Sequence, residues 1–264
     1  MEVSVMKEVI QAALRAGQEI MNVYETDFDV EEKQDHSPIT KADEKAHDII
    51  VKHLEEYDPS IPILSEEGAQ VSYSKRQDWD EYWLVDPLDG TKEFVKRNGE
   101  FTVNIALIRE GKPVYGVIYA PALQDLYVAD AEKGAYKFTS VLDNYKDGLE
   151  ALRLPAIEAN KDTATVIVSR SHQSEEEESF INRISENYSS VNTLTSGSSL
   201  KLCLIAEGVA DFYPRFKPTM EWDTAAGQAI VEIAGGKVHV ANTDKDLTYN
   251  KEELENPSFV ASRN

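Results

Sequence analysis

Cysteine is almost missing from this chain: Cys203 stands alone among 264 residues, so no internal disulfide can form. It lies in Leu200-Lys-Leu-Cys-Leu-Ile-Ala, where a small buried thiol on a helix face is expected rather than a nucleophile. No run of about 18 apolar residues occurs, so no membrane-spanning helix is expected. Met1-Glu-Val-Ser-Val-Met-Lys lacks the basic start and apolar run of a secretory signal. These absences are consistent with the cytoplasm, free or peripheral at the inner membrane face. Positive charge is also scarce, with 27 basic residues against 48 acidic ones and a formal net charge of −21. Such a surface repels nucleic-acid polymers and excludes a polymer-binding role. The five histidines show no zinc-type spacing, and there is no internal repeat or low-complexity linker.

What is present is enough apolar residue, 41%, for one large or two small domains with a real core. The stripe Ile10, Leu14, Gly17, Met21, Tyr24 predicts an amphipathic helix over residues 3–25, and Thr40 with Asp43 fits the capped start of a second helix to about Tyr57. Residues 69–81 read as a polar surface excursion. The segment 101–108, a turn at Glu110-Gly-Lys-Pro113 and the segment 114–119 predict a hairpin, extended by strands at 126–129 and 134–138. Residues 140–164 are polar and make the best domain boundary. Beyond them strands at 164–168, 191–195, 210–213 and 237–240 alternate with helices from Ser174, Ser198 and Asp223, the rhythm of an α/β layer. The run Glu175 to Glu178 reads as a solvated first helical turn. The expected division is an α+β part over residues 1–158 and an α/β part over 159–264.

One stretch organises the chemistry: Trp83-Leu-Val-Asp-Pro-Leu-Asp-Gly-Thr-Lys-Glu-Phe94. Its apolar start predicts a buried strand that ends at Asp86-Pro87, because proline removes an amide donor. Asp89, Gly90 and Thr91 follow, and the Gly90 and Thr91 amides lie at a turn into a helix, where they can face an anion. Asp-Pro-Leu-Asp-Gly is also an ordinary turn composition. Two other segments run into acid, however: Ile61-Pro-Ile-Leu-Ser-Glu66-Glu67-Gly68 and Glu221-Trp-Asp223-Thr-Ala-Ala-Gly. Brought together, Glu66, Asp86, Asp89 and Asp223 repel by about 4 kcal/mol per pair at ~4 Å and an effective dielectric of about 20. A cation relieves that cost, and oxygen donors without convergent His or Cys select a hard ion such as Mg²⁺.

These motifs, in this order, resemble the inositol monophosphatase superfamily of magnesium-dependent, lithium-sensitive phosphatases. Lys92-Glu-Phe and Asn98-Gly-Glu-Phe-Thr-Val-Asn-Ile-Ala-Leu-Ile108 resemble more narrowly the CysQ-type 3′(2′),5′-bisphosphate nucleotidases. The resemblance implies a layered αβαβα sugar-phosphatase fold and two or more Mg²⁺ ions held by Glu66, Asp86, the Leu88 carbonyl, Asp89 and Asp223. It implies that Thr91, oriented by Asp43 and with Glu66 as a further partner, deprotonates a water that attacks a phosphomonoester. The Gly90 and Thr91 amides would then hold phosphate oxygens, and Ser169, His172, Ser198 and Lys201 the nucleotide. Beside these stand plainer readings: Asp43 as a helix cap, Ser198 as a helix cap, and Val168-Ser-Arg-Ser-His172 as a strand end. The expected activity is removal of the 3′-phosphate of adenosine 3′,5′-bisphosphate. The rivals are a phosphatase of inositol phosphates or sugar bisphosphates, and a catalytically silent acidic ion-binding protein.

Overall fold

The computed structural model describes residues 2–32, 38–141, 151–158, 160, 162–168 and 174–263. Two helices, α1 (Glu2–Tyr24) and α2 (Lys41–Tyr57), form the outermost layer, with a short antiparallel pair, β1 (Glu31–Glu32) and β2 (Pro38–Ile39), between them in sequence. The face of α1 turned to the core is made of Val9, Ala12, Ala13, Ala16, Ile20 and Val23, one step round from the expected stripe. Larger residues of that stripe, Ile10, Leu14, Met21 and Tyr24, flank it half-buried. The reason is close approach: a Cβ at Gly17 would fall 2.3 Å from the Tyr119 ring, so small residues must face the sheet.

That sheet has seven strands in spatial order β3 (Ile63–Ser65), β4 (Glu81–Asp89), β5 (Thr102–Arg109), β6 (Lys112–Ala120), β7 (Asp125–Asp130), β8 (Gly134–Phe138) and β9 (Ala151–Arg153). It is antiparallel throughout except that β3 runs parallel to β4. Alternation divides its faces cleanly. Trp83, Val85, Val103, Ile105 and Val117 pack toward α1 and α2, while Tyr82, Leu84, Ala106, Ile108 and Ile118 pack the other way. The β5–β6 turn is tighter than expected. Glu110 and Gly111 both have positive φ, +52° and +72°, which closes a two-residue hairpin and leaves Lys112 and Pro113 inside β6.

On the far face lie α6 (Leu200–Glu207) and α7 (Glu221–Ile233), then a five-stranded sheet, then α5 (Glu175–Ser185). This sheet is ordered β11 (Ser190–Leu194), β10 (Thr163–Ile167), β12 (Phe212–Arg215), β14 (Phe259–Ser262), β13 (Lys237–Val240). The molecule is therefore the five-layer αβαβα arrangement expected of it. β14, unforeseen because no helix precedes it, pairs antiparallel with both β12 and β13 and makes the second sheet mixed. In α5, Glu177 is buried and closes a capping box with Ser174, so that acid is not part of a solvated turn. The excursion at 69–81 contains α3 (Tyr73–Arg76), and Arg76 is buried rather than surface-exposed. Helix α7 lies very close to the large sheet, since a Cβ at Gly116 would meet the Ala226 carbonyl at 2.5 Å.

Candidate active site

Strand β4 does not stop at Pro87. It continues to Asp89 through a register break, with Asp86 opposite Asn104 and Asp89 opposite Thr102. Pro87 and Leu88 thus stand opposite the single residue Val103, a bulge that absorbs a proline without an unpaired ladder donor. The bulge also decides where the acids point. Positions three apart on a regular strand face opposite sides, but here Leu88 joins the cluster under α1 and α2, and Asp86 and Asp89 share the face toward α7. Burial of Trp83, Leu84 and Val85, each contributing about 1.5–3 kcal/mol, holds Asp86 in a position that its charge opposes.

Asp223 reaches the same place from the first turn of α7, its orientation fixed by the Met220 amide donating to its Oδ2 at 2.7 Å. Among the described residues, Asp86, Asp89 and Asp223 bring carboxylate oxygens within 4.8 Å of one another. Glu66 follows β3, its amide donating to the Val85 carbonyl at 3.1 Å, and its carboxyl lies in hydrogen-bonding reach of Asp86. Burial, reinforced by the charges of Glu66, Asp89 and Asp223, holds the Asp86 carboxyl well above the usual carboxylate range. Burial and then Asp89 push Asp223 up to about 8. Crowded, buried, oxygen-only donors whose carboxyls are raised by burial and then by one another's charge fit a hard divalent cation.

Asp89 is held from the other side by a network that sequence reasoning missed. Its Oδ2 accepts from Ser198 Oγ at 2.7 Å and Ser199 Oγ at 2.6 Å. Asn104 donates to Ser199 Oγ at 2.8 Å, Thr102 Oγ1 lies 2.6 Å from Ser198 Oγ, and Ser199 Oγ also reaches the Asp223 carbonyl at 2.8 Å. Thr102 and Asn104 are polar residues at fully buried positions of an otherwise apolar strand, and that break in Phe101-Thr-Val-Asn-Ile was the available signal. Ser198 does not cap α6. Its φ is +52°, the cap position is Ser199, and both hydroxyls turn toward Asp89 instead.

Asp43 has both expected positions at once. Its Oδ2 accepts from the amide and hydroxyl of Thr40, each at 2.8 Å, while Oδ1 accepts from Thr91 Oγ1 at 3.1 Å. Burial raises its carboxyl above the ordinary value, opposed by the Thr40 hydrogen bonds. Thr91 Oγ1 also lies 3.3 Å from the Leu88 carbonyl. Gly90, at φ +89°, makes the turn into α4 (Thr91–Val95), where a Cβ would meet the Glu100 carbonyl and the Ser198 Cβ at 3.2 Å.

A cavity of about 300 Å³ opens beside the acids, lined by Asp89, Gly90, Glu93, Ser198 and Asp223 and by the cations Lys201, Arg215 and Lys217. Lys201 Nζ donates to the Ser198 carbonyl at 2.6 Å and stands over the Tyr213 ring; burial lowers its pKa to about 8. Arg215 and Lys217 were not expected; a basic pair in Arg215-Phe-Lys-Pro, just before Trp222-Asp223 in an acidic chain, is the sign they left. Ser169 and His172 lie outside the described residues.

The sequence profile of the Inositol monophosphatase family matches residues 2–263. The 3′(2′),5′-bisphosphate nucleotidase CysQ of Salmonella typhimurium is 47% identical over 257 residues, covering 96% of this chain and 98% of its own. That of Escherichia coli K12 is 45% identical over 260 residues, covering 97% and 99%. A crystal structure of CysQ from Bacteroides thetaiotaomicron, a bacterial member of the inositol monophosphatase family, is 45% identical and superposes with a TM-score of 0.84, over 97% of this chain and 96% of that one.

Proposed function

The chain belongs to the inositol monophosphatase family, and from that premise we propose that it is a magnesium-dependent 3′(2′),5′-bisphosphate nucleotidase, converting adenosine 3′,5′-bisphosphate to AMP and phosphate. The observation that carries the reading is the convergence of Asp86, Asp89 and Asp223 beside a cavity lined by Lys201, Arg215 and Lys217. Acids without a cation repel a phosphate; cations without the acids hold it but do not activate a water.

In this reading Glu66, Asp86, the Leu88 carbonyl, Asp89 and Asp223 hold two or more Mg²⁺ ions. Bound there, magnesium lowers the pKa of a water and neutralises charge on the phosphoryl and leaving oxygens. The chain's own part is to orient and to move a proton. Thr91 Oγ1 accepts a proton from the attacking water and passes its own to Asp43 Oδ1, whose burial-raised pKa suits it to receive one. Glu66 is a further partner of the water. The amides of Gly90 and Thr91 face the phosphoryl oxygens, while Ser198 fixes Asp89. Lys201, joined by Arg215 and Lys217, takes the second phosphate, which no inositol monophosphate carries. Ser169 and His172 are proposed nucleotide contacts by resemblance. Residues 1–158 are proposed as the part carrying most of the acids, with 159–264 completing the site through Asp223.

The test is product analysis with adenosine 3′,5′-bisphosphate, with and without Mg²⁺, beside inositol monophosphate. AMP and phosphate should appear only with the ion, and turnover of the nucleotide should dominate. A preference for inositol monophosphate would select the sugar-phosphatase reading, and no turnover of either would select an ion-binding protein.

A further inference from the structure

Of residues 241–258, between β13 and β14, none carries a role in the proposed chemistry, yet side chains knit this stretch to the start of α7. Glu221, with no exposed surface, accepts from the amides of Asn250 at 2.8 Å and Lys251 at 3.0 Å and from Lys251 Nζ at 2.7 Å. Lys251 Nζ reaches on to Asn256 Oδ1 at 3.1 Å, and Asn256 Nδ2 donates to the Met220 carbonyl at 2.8 Å and to Thr224 Oγ1 at 3.0 Å. The Tyr249 hydroxyl donates to Gln228 Oε1 at 2.7 Å. Residues 249–256 are thus a strap across the first turns of the helix that carries Asp223.

The strap has a second clasp. Arg76, 2% exposed, donates to Asn250 Oδ1 at 2.9 Å and to the carbonyls of Lys251 at 2.6 Å and Glu252 at 2.8 Å. Asn250 Nδ2 returns a bond to the Arg76 carbonyl at 2.7 Å. Arg76 ends α3, in the connection that leads from Glu66 to β4. Asp86 and Asp89 are fixed by their strand, but Asp223 comes from another element, and with carboxylate oxygens within 4.8 Å of theirs it is pushed away from them whenever the acids are charged. Something outside the cluster must resist that push. A carboxylate–ammonium pair with its carboxylate fully buried is a poor source of stability, because desolvation offsets the attraction, and what the Glu221 pairing does is tie residues 250 and 251 to the first turn of α7.

We propose that Glu221 and Arg76 are positioning residues for ion binding: through the strap they hold the start of α7 and the connection after Glu66 at the separation at which the four acids share a divalent ion. This rests on the metal reading above. Outer partners of this kind typically change metal affinity about 10- to 100-fold.

The test is calorimetric titration of the metal-stripped protein with MgCl₂, at a temperature where circular dichroism shows each variant folded. Glu221→Gln and Arg76→Gln should each raise the Mg²⁺ dissociation constant about 10- to 100-fold, Arg76→Lys less than Arg76→Gln, with KM for the nucleotide unchanged at saturating Mg²⁺. Variants that bind Mg²⁺ within twofold of the parent overturn the inference and leave the metal reading standing. A parent that binds no Mg²⁺ overturns the metal reading. If Glu221→Gln does not fold, Arg76→Gln decides; if neither folds, the strap holds the fold and not the ion site, and the inference fails.

Discussion

Thr91 Oγ1 donates to Asp43 Oδ1 across 3.1 Å, joining residues 48 positions apart, while the other oxygen of the same carboxylate caps α2 through Thr40. Asp43→Asn should retain an oxygen for the cap but present an amide donor to Thr91, so that the hydroxyl can no longer hand on its proton. The expected result is a fall in kcat of about 10²- to 10⁴-fold with Mg²⁺ affinity little changed. Thr91→Val should cost about as much, and the double variant no more than either, because the pair acts as a unit. Steady-state kinetics with Mg²⁺ titration checks all three.

Above about pH 8, where the Asp223 carboxyl is ionised, Asp223→Asn removes one of the crowded charges. Without metal, its melting temperature should rise above that of the parent, by about 2–4 °C for each kcal/mol of repulsion relieved. Added Mg²⁺ should then stabilise the variant far less than it does the parent, as read by thermal melts in EDTA and in MgCl₂.

The metal-free protein should become more stable as the pH falls from about 8 toward 5. Asp223 is raised to about 8, and Asp86 is raised too, so in this window the folded state binds protons that the unfolded state has released. Their contribution is present at low pH and lost as the pH rises through about 8. Lys201, lowered to about 8, is charged in both states below that point and adds no opposing slope. Mg²⁺ affinity should show the reverse trend, weakening as the pH falls and protons compete. Denaturant melts across this range, repeated on Asp223→Asn, should show the slope reduced in the variant.

Lys201→Met should raise KM for adenosine 3′,5′-bisphosphate about 10- to 100-fold, the loss of one charge-assisted hydrogen bond to phosphate. A 3′-phosphomonoester lacking the 5′-phosphate should be affected much less. Comparing KM for the two substrates separates a phosphate contact from support of the Ser198 turn.

Gly116→Ala sets a methyl group against the backbone of α7, with the Ala226 carbonyl 2.5 Å from the new atom. The helix must move off the sheet, at a cost of about 1–3 kcal/mol in urea unfolding. Because α7 carries Asp223, Mg²⁺ affinity should weaken with it.

Much of this site was legible along the chain. The acids of Ser65-Glu-Glu, Asp86-Pro-Leu-Asp and Trp222-Asp were found because each interrupts or follows an apolar run, where an unpaired charge is costly. Thr102 and Asn104 sat inside such a run and passed as strand residues, since their hydrogen bonds to Ser198 and Ser199 depend on elements 95 and 96 positions away. Glu221, Arg76 and the strap left no local pattern at all, because each is defined by a partner remote in sequence.

The order of apolar runs, turns and acids determined the layers, the family likeness and the hard-ion chemistry, since periodicity and charge act between neighbours along the chain. Only the tertiary structure decided that Asp86 and Asp89 share a face, that Ser198 serves Asp89 instead of capping a helix, and that residues 249–256 tie the start of α7 to Arg76. The bulge in β4, the positive φ at Ser198 and the buried pairings of Glu221 and Arg76 each arise from packing between segments distant in sequence, and it is packing that overrides local preference.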